Sequence, residues 1–557
     1  MQKTLLMCLL AFVSTTAFAF DCYIDGISYN LNKTNLTASV TSGAYKYRGA
    51  VSIPKNITHE GVTYTVTAID SNAFNTCTDL TELTIPNSIT SIGESAFSGC
   101  YKLTELTIPN SVISIGKWSL SDCRGLEKIV VEDGNRYYDS RENCNAIIRT
   151  EENELIAGCK NSTVPNGVTS IGDYAFLGCV GLTELPLPNS IMYIGNGAFC
   201  YCTSLTGVNI PDKVTYIGYS AFRECYSLKG KLNIPNSVTH IGSEAFLCCS
   251  LTEVAIPNSI TSINDGTFYS CTKLVNVTIP SSVTYIDDYA FNGCESLQEV
   301  LIPDDVTYIG KNAFAYCSSL AEMTIPTNVT SINDATFAGC SSLTKVTIPN
   351  GITSIGEFAF DYCINLPEVI IPNSVLFIGY DAFAECYNLT KITIGNSVTS
   401  IEPFTFEYCY KLTEVTIPNS VTSIGWGAFW GCTELAEVTI GNGVTFIDNY
   451  AFNECPAIRS ITSLNPTPPT FFEDYCYPFD ESIYYYAALH VPTGCKAVYE
   501  QAEIWKSFLN IQENDPTNIK AIKIENGNGV YYDLRGSRFP TFKHGLNIIN
   551  GKKVIVK

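Results

Sequence analysis

One phrase recurs along this chain: Ile-Gly-x-x-Ala-Phe-x-x-Cys-x-x-Leu-x-x-Val-x-Ile-Pro-x-x-Val-Thr-x. Its phenylalanine falls at Phe74, Phe97, Phe176, Phe199, Phe222, Phe246, Phe268, Phe291, Phe314, Phe337, Phe360, Phe383, Phe406, Phe429 and Phe452, and nearly every step is 23 residues. A fixed period of this length with Leu-x-x-Leu-x-Leu character predicts one coil of a leucine-rich solenoid per repeat. A solenoid presents surface, so its function is to be sought on its faces rather than in a pocket. The exceptions to the period are local. Phe222 to Phe246 is 24, through an extra residue in Leu228-Lys-Gly-Lys-Leu232, and Phe246 to Phe268 is 22, through a missing one in Cys249-Ser-Leu251. Leu120 stands where a phenylalanine is due, and the next step, to Phe176, is 56 residues. That is the one irregular place in the array.

The repeat replaces the several globular domains that 557 residues could hold with one elongated domain. Hydrophobic content of 46% against 16% charge is ample for a continuous core. Met1-Gln-Lys, the apolar run from Leu5 to Val13 and Ala17-Phe-Ala19 describe a secretory signal peptide over residues 1–19, too short for a permanent membrane anchor. The mature chain is therefore expected to be secreted or at the outer cell surface, with no transmembrane helix. Net charge of −21 argues against nucleic acid as a partner.

Sixteen of the 24 cysteines share one repeat position, three residues after the phenylalanine: Cys77, Cys100, Cys123, Cys179, Cys202, Cys225, Cys249, Cys271, Cys294, Cys317, Cys340, Cys363, Cys386, Cys409, Cys432 and Cys455. Stacked coils repeat at about 4.8 Å, which holds parallel Cβ atoms beyond the usual reach of a disulfide. A ladder of free thiols filling a narrow corner is the expectation, each behaving as a small apolar side chain. Cys144 with Cys159, and Cys476 with Cys495, lie outside the ladder and are free to pair.

The predicted fold is mainly β: a right-handed leucine-rich-repeat solenoid of stacked 23-residue coils with N- and C-terminal caps and a small C-terminal β module. Residues 20–66 read as the N-terminal β cap that an open solenoid end requires. The repeats occupy 67–463, with a hairpin bulging out at about 130–165. Within each coil a segment such as Leu80-Thr-Glu-Leu-Thr-Ile-Pro86 alternates as a half-buried strand ended by proline, and Gly93 permits a sharp bend. Residues 464–513 form the C-terminal cap, as a closing strand and short helix with Trp505 and Phe508 over the open end. Residues 514–557 form a small β tail, with a hairpin signal at Asn550-Gly551.

The repeat written as Ile92-Gly-Glu-Ser-Ala-Phe-Ser-Gly-Cys-Tyr-Lys-Leu-Thr-Glu-Leu-Thr-Ile-Pro109 resembles the BspA-like class of leucine-rich repeats, over roughly residues 50–513. It departs from the commoner form, which has Asn or Cys after the strand, where Ser88 and its equivalents stand here. Members of the class are surface or secreted proteins of anaerobic host-associated bacteria and some mucosal protists. The resemblance implies adhesion: binding host extracellular or plasma proteins, fibronectin- or fibrinogen-like, and coaggregation of cells. The stretch Tyr532-Asp-Leu-Arg-Gly536 with the closing Gly551-Lys-Lys-Val-Ile-Val-Lys557 is similar to C-terminal sorting domains of the type IX secretion route in Bacteroidetes.

Nothing in the sequence supports an enzyme, a metal site or a cofactor. Four histidines, His59, His240, His490 and His544, are scattered, and no phosphate loop, zinc spacing or nucleophile elbow occurs. Asp265 and the pair Asp287-Asp288 read as solvated corners rather than a glycosidase pair. The strand face is the candidate ligand-binding surface. One row holds Glu253, Glu299, Glu322, Glu368, Glu414 and Glu437 with Lys345 and Lys391 interspersed. The row two residues on holds Thr324, Thr347, Thr393 and Thr416. Like charges stacked one strand apart repel, so stability alone would not select the acidic row. It is expected to contact a basic protein segment or to chelate divalent cations weakly. The alternative is a carbohydrate-binding or structural surface protein, with Tyr285, Tyr289, Trp426 and Trp430 stacking on sugars.

Overall fold

The computed structural model describes residues 20–472 and 477–514, and beyond them the backbone of the strands Tyr531–Tyr532, Arg538–Phe539, Gly545–Ile549 and Lys552–Val556. The expected signal peptide, Cys476 and most of the tail lie outside these residues. The chain divides into two compact units, Met1–Asn365 and Leu366–Lys557. Each is mainly β and built as a solenoid of stacked coils of about 23 residues.

In the first unit the cap starts as an antiparallel meander, Cys22–Ile24, Ile27–Asn32 and Thr37–Thr41. It then behaves as a coil itself. Gly49–Ser52 pairs in parallel with the first repeat strand, Leu80–Thr84, and Val62–Ile69 pairs in parallel with Ser91–Ile92. Every later coil continues one or both of these files, a strand of three to six residues and a two-residue strand such as Ser114–Ile115. The alternation seen in the sequence sets the burial: in Glu322–Thr324 the central Met323 is buried while Glu322 and Thr324 face solvent.

Inside the coils, equivalent side chains form files. Phenylalanine rings stack face to face from Phe176 to Phe360 in the first unit, with centroids 5.0–5.8 Å apart. In the second unit Phe383, Phe406, Phe429 and Phe452 do the same. The sixteen ladder cysteines are free and buried. They do more than fill space. The Cys100, Cys202, Cys294 and Cys317 thiols each donate to the carbonyl of the phenylalanine one coil back, at 3.2–3.3 Å. That carbonyl already accepts the N–H of its own coil's cysteine, as at Cys294 to Phe291, so the thiol takes up its second lone pair. Cys144 and Cys159 are also free thiols, donating to the Ala146 and Asn145 carbonyls respectively, so the pairing left open for them is not made.

Two expectations need correction. The glycine after isoleucine serves close packing rather than a bend. At Gly218 the backbone avoids the left-handed region, and an added Cβ would lie 2.5 Å from the Asn196 nitrogen and 2.6 Å from the Gly195 carbonyl carbon, both in the preceding coil. Gly218→Ala is expected to cost about 2–3 kcal/mol in urea denaturation, since rigid backbone must move apart. Gly207→Ala, where nothing lies within 4 Å, serves as the control and should cost well under 1 kcal/mol. The insertion, in turn, does not simply bulge outward. Tyr138–Asp139, Ala146–Arg149 and Glu154–Gly158 pair antiparallel, but Glu154–Gly158 then runs parallel to Ser170–Ile171 and joins the short-strand file.

The second unit closes on itself. Ser460–Ser463, Ala488–Val491 and Asn510–Glu513 extend its long-strand file. Phe479 adds one more ring to the phenylalanine stack, 5.3 Å from Phe452. Trp505, fully buried, stacks with Phe508 at 5.9 Å and donates its indole N–H to the Pro469 carbonyl at 2.8 Å. The helix Glu481–Tyr486, which precedes the closing strand, was not legible beforehand. The tail strands form an antiparallel sheet in which Ile549 lies opposite Lys552.

Candidate binding face on the strand file

The exposed positions of the long strands are the Glu/Lys row and the threonine row. Within a strand the two point the same way, because they flank one buried residue. Glu299, Glu322, Glu368, Glu414 and Glu437 are exposed, and Glu253 is half-buried. The lysines interspersed in the acidic row stand beside its glutamates. Lys345 lies in register with Glu322 and reaches it at 3.4 Å, and Lys391 reaches Glu368 at 2.7 Å. Lys231 reaches Glu253 at 2.6 Å. The sequence reading missed this lysine, because the extra residue in its coil shifts the register between Gly230 and Lys231. Asn276 separates Glu253 from Glu299. Glu414 and Glu437 stand directly opposite as like charges. Exposed pairs of this kind contribute about 0–1 kcal/mol and are screened by salt, so the row holds the fold together only weakly.

Glu299, Glu414 and Glu437 make no ion pair among the described residues. Nor does any group of three or more His, Cys, Asp or Glu converge there as a metal site would require. Glu414 and Glu437 stand one coil apart in register in the second unit, and Glu299 lies in the first.

The threonine row has two residues that the sequence reading passed over. Leu301 occupies it in register with Thr278 and is 81% exposed; Ile370 occupies it in register with Thr393 and is 60% exposed. Thr324, Thr347, Thr393 and Thr416 are exposed, as expected. The signal for the two apolar residues was available, since both stand two positions after a glutamate of the row.

The aromatic candidates are engaged with one another. Tyr285 stacks on Tyr308 at 4.4 Å, and Tyr289 packs near Tyr269 at 6.3 Å. Trp426 meets Trp430 edge-on at 5.4 Å and Phe404 at 4.5 Å. On the same short-strand file as Tyr285, Tyr193, Tyr216 and His240 form a second stack at 4.7 and 4.6 Å. Burial there lowers the His240 imidazole, which favours its neutral form. At the acidic corner, burial and then Asp287, Asp288 and Glu244 raise Asp265.

Comparison with known proteins identifies the repeat. The BspA type leucine rich repeat region, in six copies, matches residues 51–151, 156–273, 239–350 and 330–459. A leucine-rich repeat protein from Bacteroides ovatus is 25% identical, with 85% of this chain and 100% of that one covered, at a TM-score of 0.49. A leucine rich cell surface protein from Faecalibacterium prausnitzii is 25% identical over 79% of this chain and 94% of that one, at 0.33. The pneumococcal vaccine antigen PcpA is 18% identical over 89% and 98%, at 0.28. No curated protein matches. With repeat after repeat matched across most of its length, the chain belongs to the BspA-type leucine-rich repeat family.

Proposed function

We propose that this chain is a non-enzymatic, secreted or cell-surface scaffold that binds other proteins through its long-strand file. Its partners are host matrix or plasma proteins of the fibronectin or fibrinogen kind, or molecules on other cells. The observation that carries the reading is Leu301: a large apolar side chain, 81% exposed on a sheet face, beside threonines and the unpaired Glu299. An apolar anchor within a polar rim is the anatomy of a protein interface. The acidic members of the row, with a net charge of −21 behind them, favour a partner segment rich in Lys and Arg.

Surface plasmon resonance against immobilised fibronectin and fibrinogen tests this. Leu301→Asp is expected to weaken capture at least about tenfold, equivalent to about 1.4 kcal/mol. Glu299→Lys with Glu322→Lys should weaken it most at low salt, where the Debye length is longest. Unchanged capture by both variants at low salt rejects the face. Binding on a glycan array with no matrix-protein binding would select the carbohydrate alternative, for which Trp426 and Trp430 are the residues to replace.

A further inference from the structure

The spliced insertion leaves an unfinished seam in the first unit. In a regular coil, N–H groups around the phenylalanine corner donate to carbonyls of the next coil: Ser95, Phe97 and Gly99 donate to Lys117, Ser119 and Ser121, each at 2.9 Å. One coil on, the equivalent donors are Trp118, Leu120 and Asp122. Only Asp122 completes the pattern, donating to the Leu177 carbonyl at 2.7 Å. The Ala175 carbonyl, which by the same spacing belongs to Leu120, accepts instead from Gly158 of the inserted strand at 2.8 Å. The Trp118 and Leu120 N–H groups thus have no acceptor among the described residues.

The two coils touch at Asp122 and Leu177 and part toward Lys117 and Asp173, around a cleft of about 220 Å³. Ser121 lines the same cleft. It is 6% exposed, and its hydroxyl has no hydrogen-bond partner. Trp118 and Tyr174 meet edge-on at 5.5 Å beside it. Charges of both signs line it, Lys117 and Asp173 together with the Arg149–Glu154 ion pair at 2.7 Å.

Two of these donors, the Leu120 N–H and the Ser121 hydroxyl, belong to buried residues and call for a ligand that supplies acceptors, because buried polar groups are paired in folded proteins; Trp118, 39% exposed, offers the third at the mouth. The regular coils show which kind. Donors two residues apart there take main-chain carbonyls that are themselves two residues apart. A small anion presents its oxygens from a single point and does not reproduce that spacing. We propose that this cleft binds an extended peptide segment of a partner protein, whose carbonyls take the Trp118 and Leu120 N–H groups and the Ser121 hydroxyl in place of the displaced coil. The cleft is smaller than the usual 300–1,000 Å³ ligand pocket, which selects Gly, Ala and Ser side chains. Main-chain hydrogen bonds would give affinity, as in other strand-addition modes. This site is independent of the strand-file face.

The test uses the full chain with two probes, a set of capped Gly/Ala/Ser tetrapeptides and sodium acetate, read by hydrogen–deuterium exchange of residues 116–122. At least one tetrapeptide at millimolar concentration should slow exchange there about tenfold, while acetate does not. Ala157→Phe, which fills the cleft, should abolish the protection. Ser121→Ala, a smaller change that keeps the fold if the phenylalanine does not, should weaken tetrapeptide affinity several-fold. No protection by any tetrapeptide overturns the proposal. So does equal protection by acetate, or protection that survives both substitutions.

Discussion

Between pH 9 and pH 10, in the presence of a reductant, the first unit is expected to unfold cooperatively. The cause is the thiol file. Twelve of the sixteen ladder cysteines lie in this unit, and all twelve are buried. Burial pushes Cys271 and Cys340 up to about 12 and holds Cys294, Cys317 and Cys363 well above their ordinary 9.0. In the unfolded chain the same thiols ionise at about 8.5 to 9. Below that value both states hold their protons, and the stability is fully present. Above it the unfolded chain releases protons that the native state keeps, so stability falls as pH rises toward the folded value. One pH unit past 9 removes roughly 1 kcal/mol per thiol. A dozen such groups acting together remove about 12 kcal/mol, comparable with the 5–15 kcal/mol that typically holds a domain. Circular dichroism followed from pH 7 to 11, with urea midpoints at each step, measures the loss. A midpoint that stays flat from pH 8 to 10.5 would show that the file does not titrate in this way.

The period told which side chains would align, and the phenylalanine and cysteine files follow it. What it could not tell is the bond each aligned group makes. The thiols read as apolar filler because nothing in the spacing shows that the phenylalanine carbonyl one coil back has a lone pair to offer. Gly93 read as a bend because a short Ile-Gly step looks like a turn, whereas the constraint comes from backbone in the preceding coil. The splice of Glu154–Gly158 next to Ser170–Ile171 was hidden for a similar reason: its register offset is 16 residues, outside the 23-residue rule. On the candidate face, the Glu and Thr rows were legible from alternation alone. Their charge balance was not, because Lys231 is displaced by the one extra residue in its coil. Leu301 and Ile370 were passed over because an apolar residue in a strand is ordinarily counted as core, although their spacing of two from Glu299 and Glu368 puts them on the exposed face.

Replacing Phe291 by alanine should lower the unfolding free energy of the first unit by about 4 kcal/mol. Its ring is fully buried, 5.5 Å from Phe268 and 5.3 Å from Phe314, nearly parallel to both. Truncation removes the transfer term and leaves a cavity between two rings that the backbone ladders hold apart, so the site collapses little. Each coil packs only on its neighbours, and the damage therefore falls on the two interfaces that Phe291 shares. Exchange of amide protons should accelerate first in the coils around Phe268, Phe291 and Phe314. Phe291→Leu should cost about half as much, since leucine fills most of the space but cannot stack. The chain already carries that substitution once. Leu120 occupies the phenylalanine position, 7% exposed, in the coil next to which the insertion displaces the regular stack. Urea denaturation decides the matter. A loss below 1 kcal/mol for the alanine variant would mean that strand pairing, and not the ring file, couples one coil to the next.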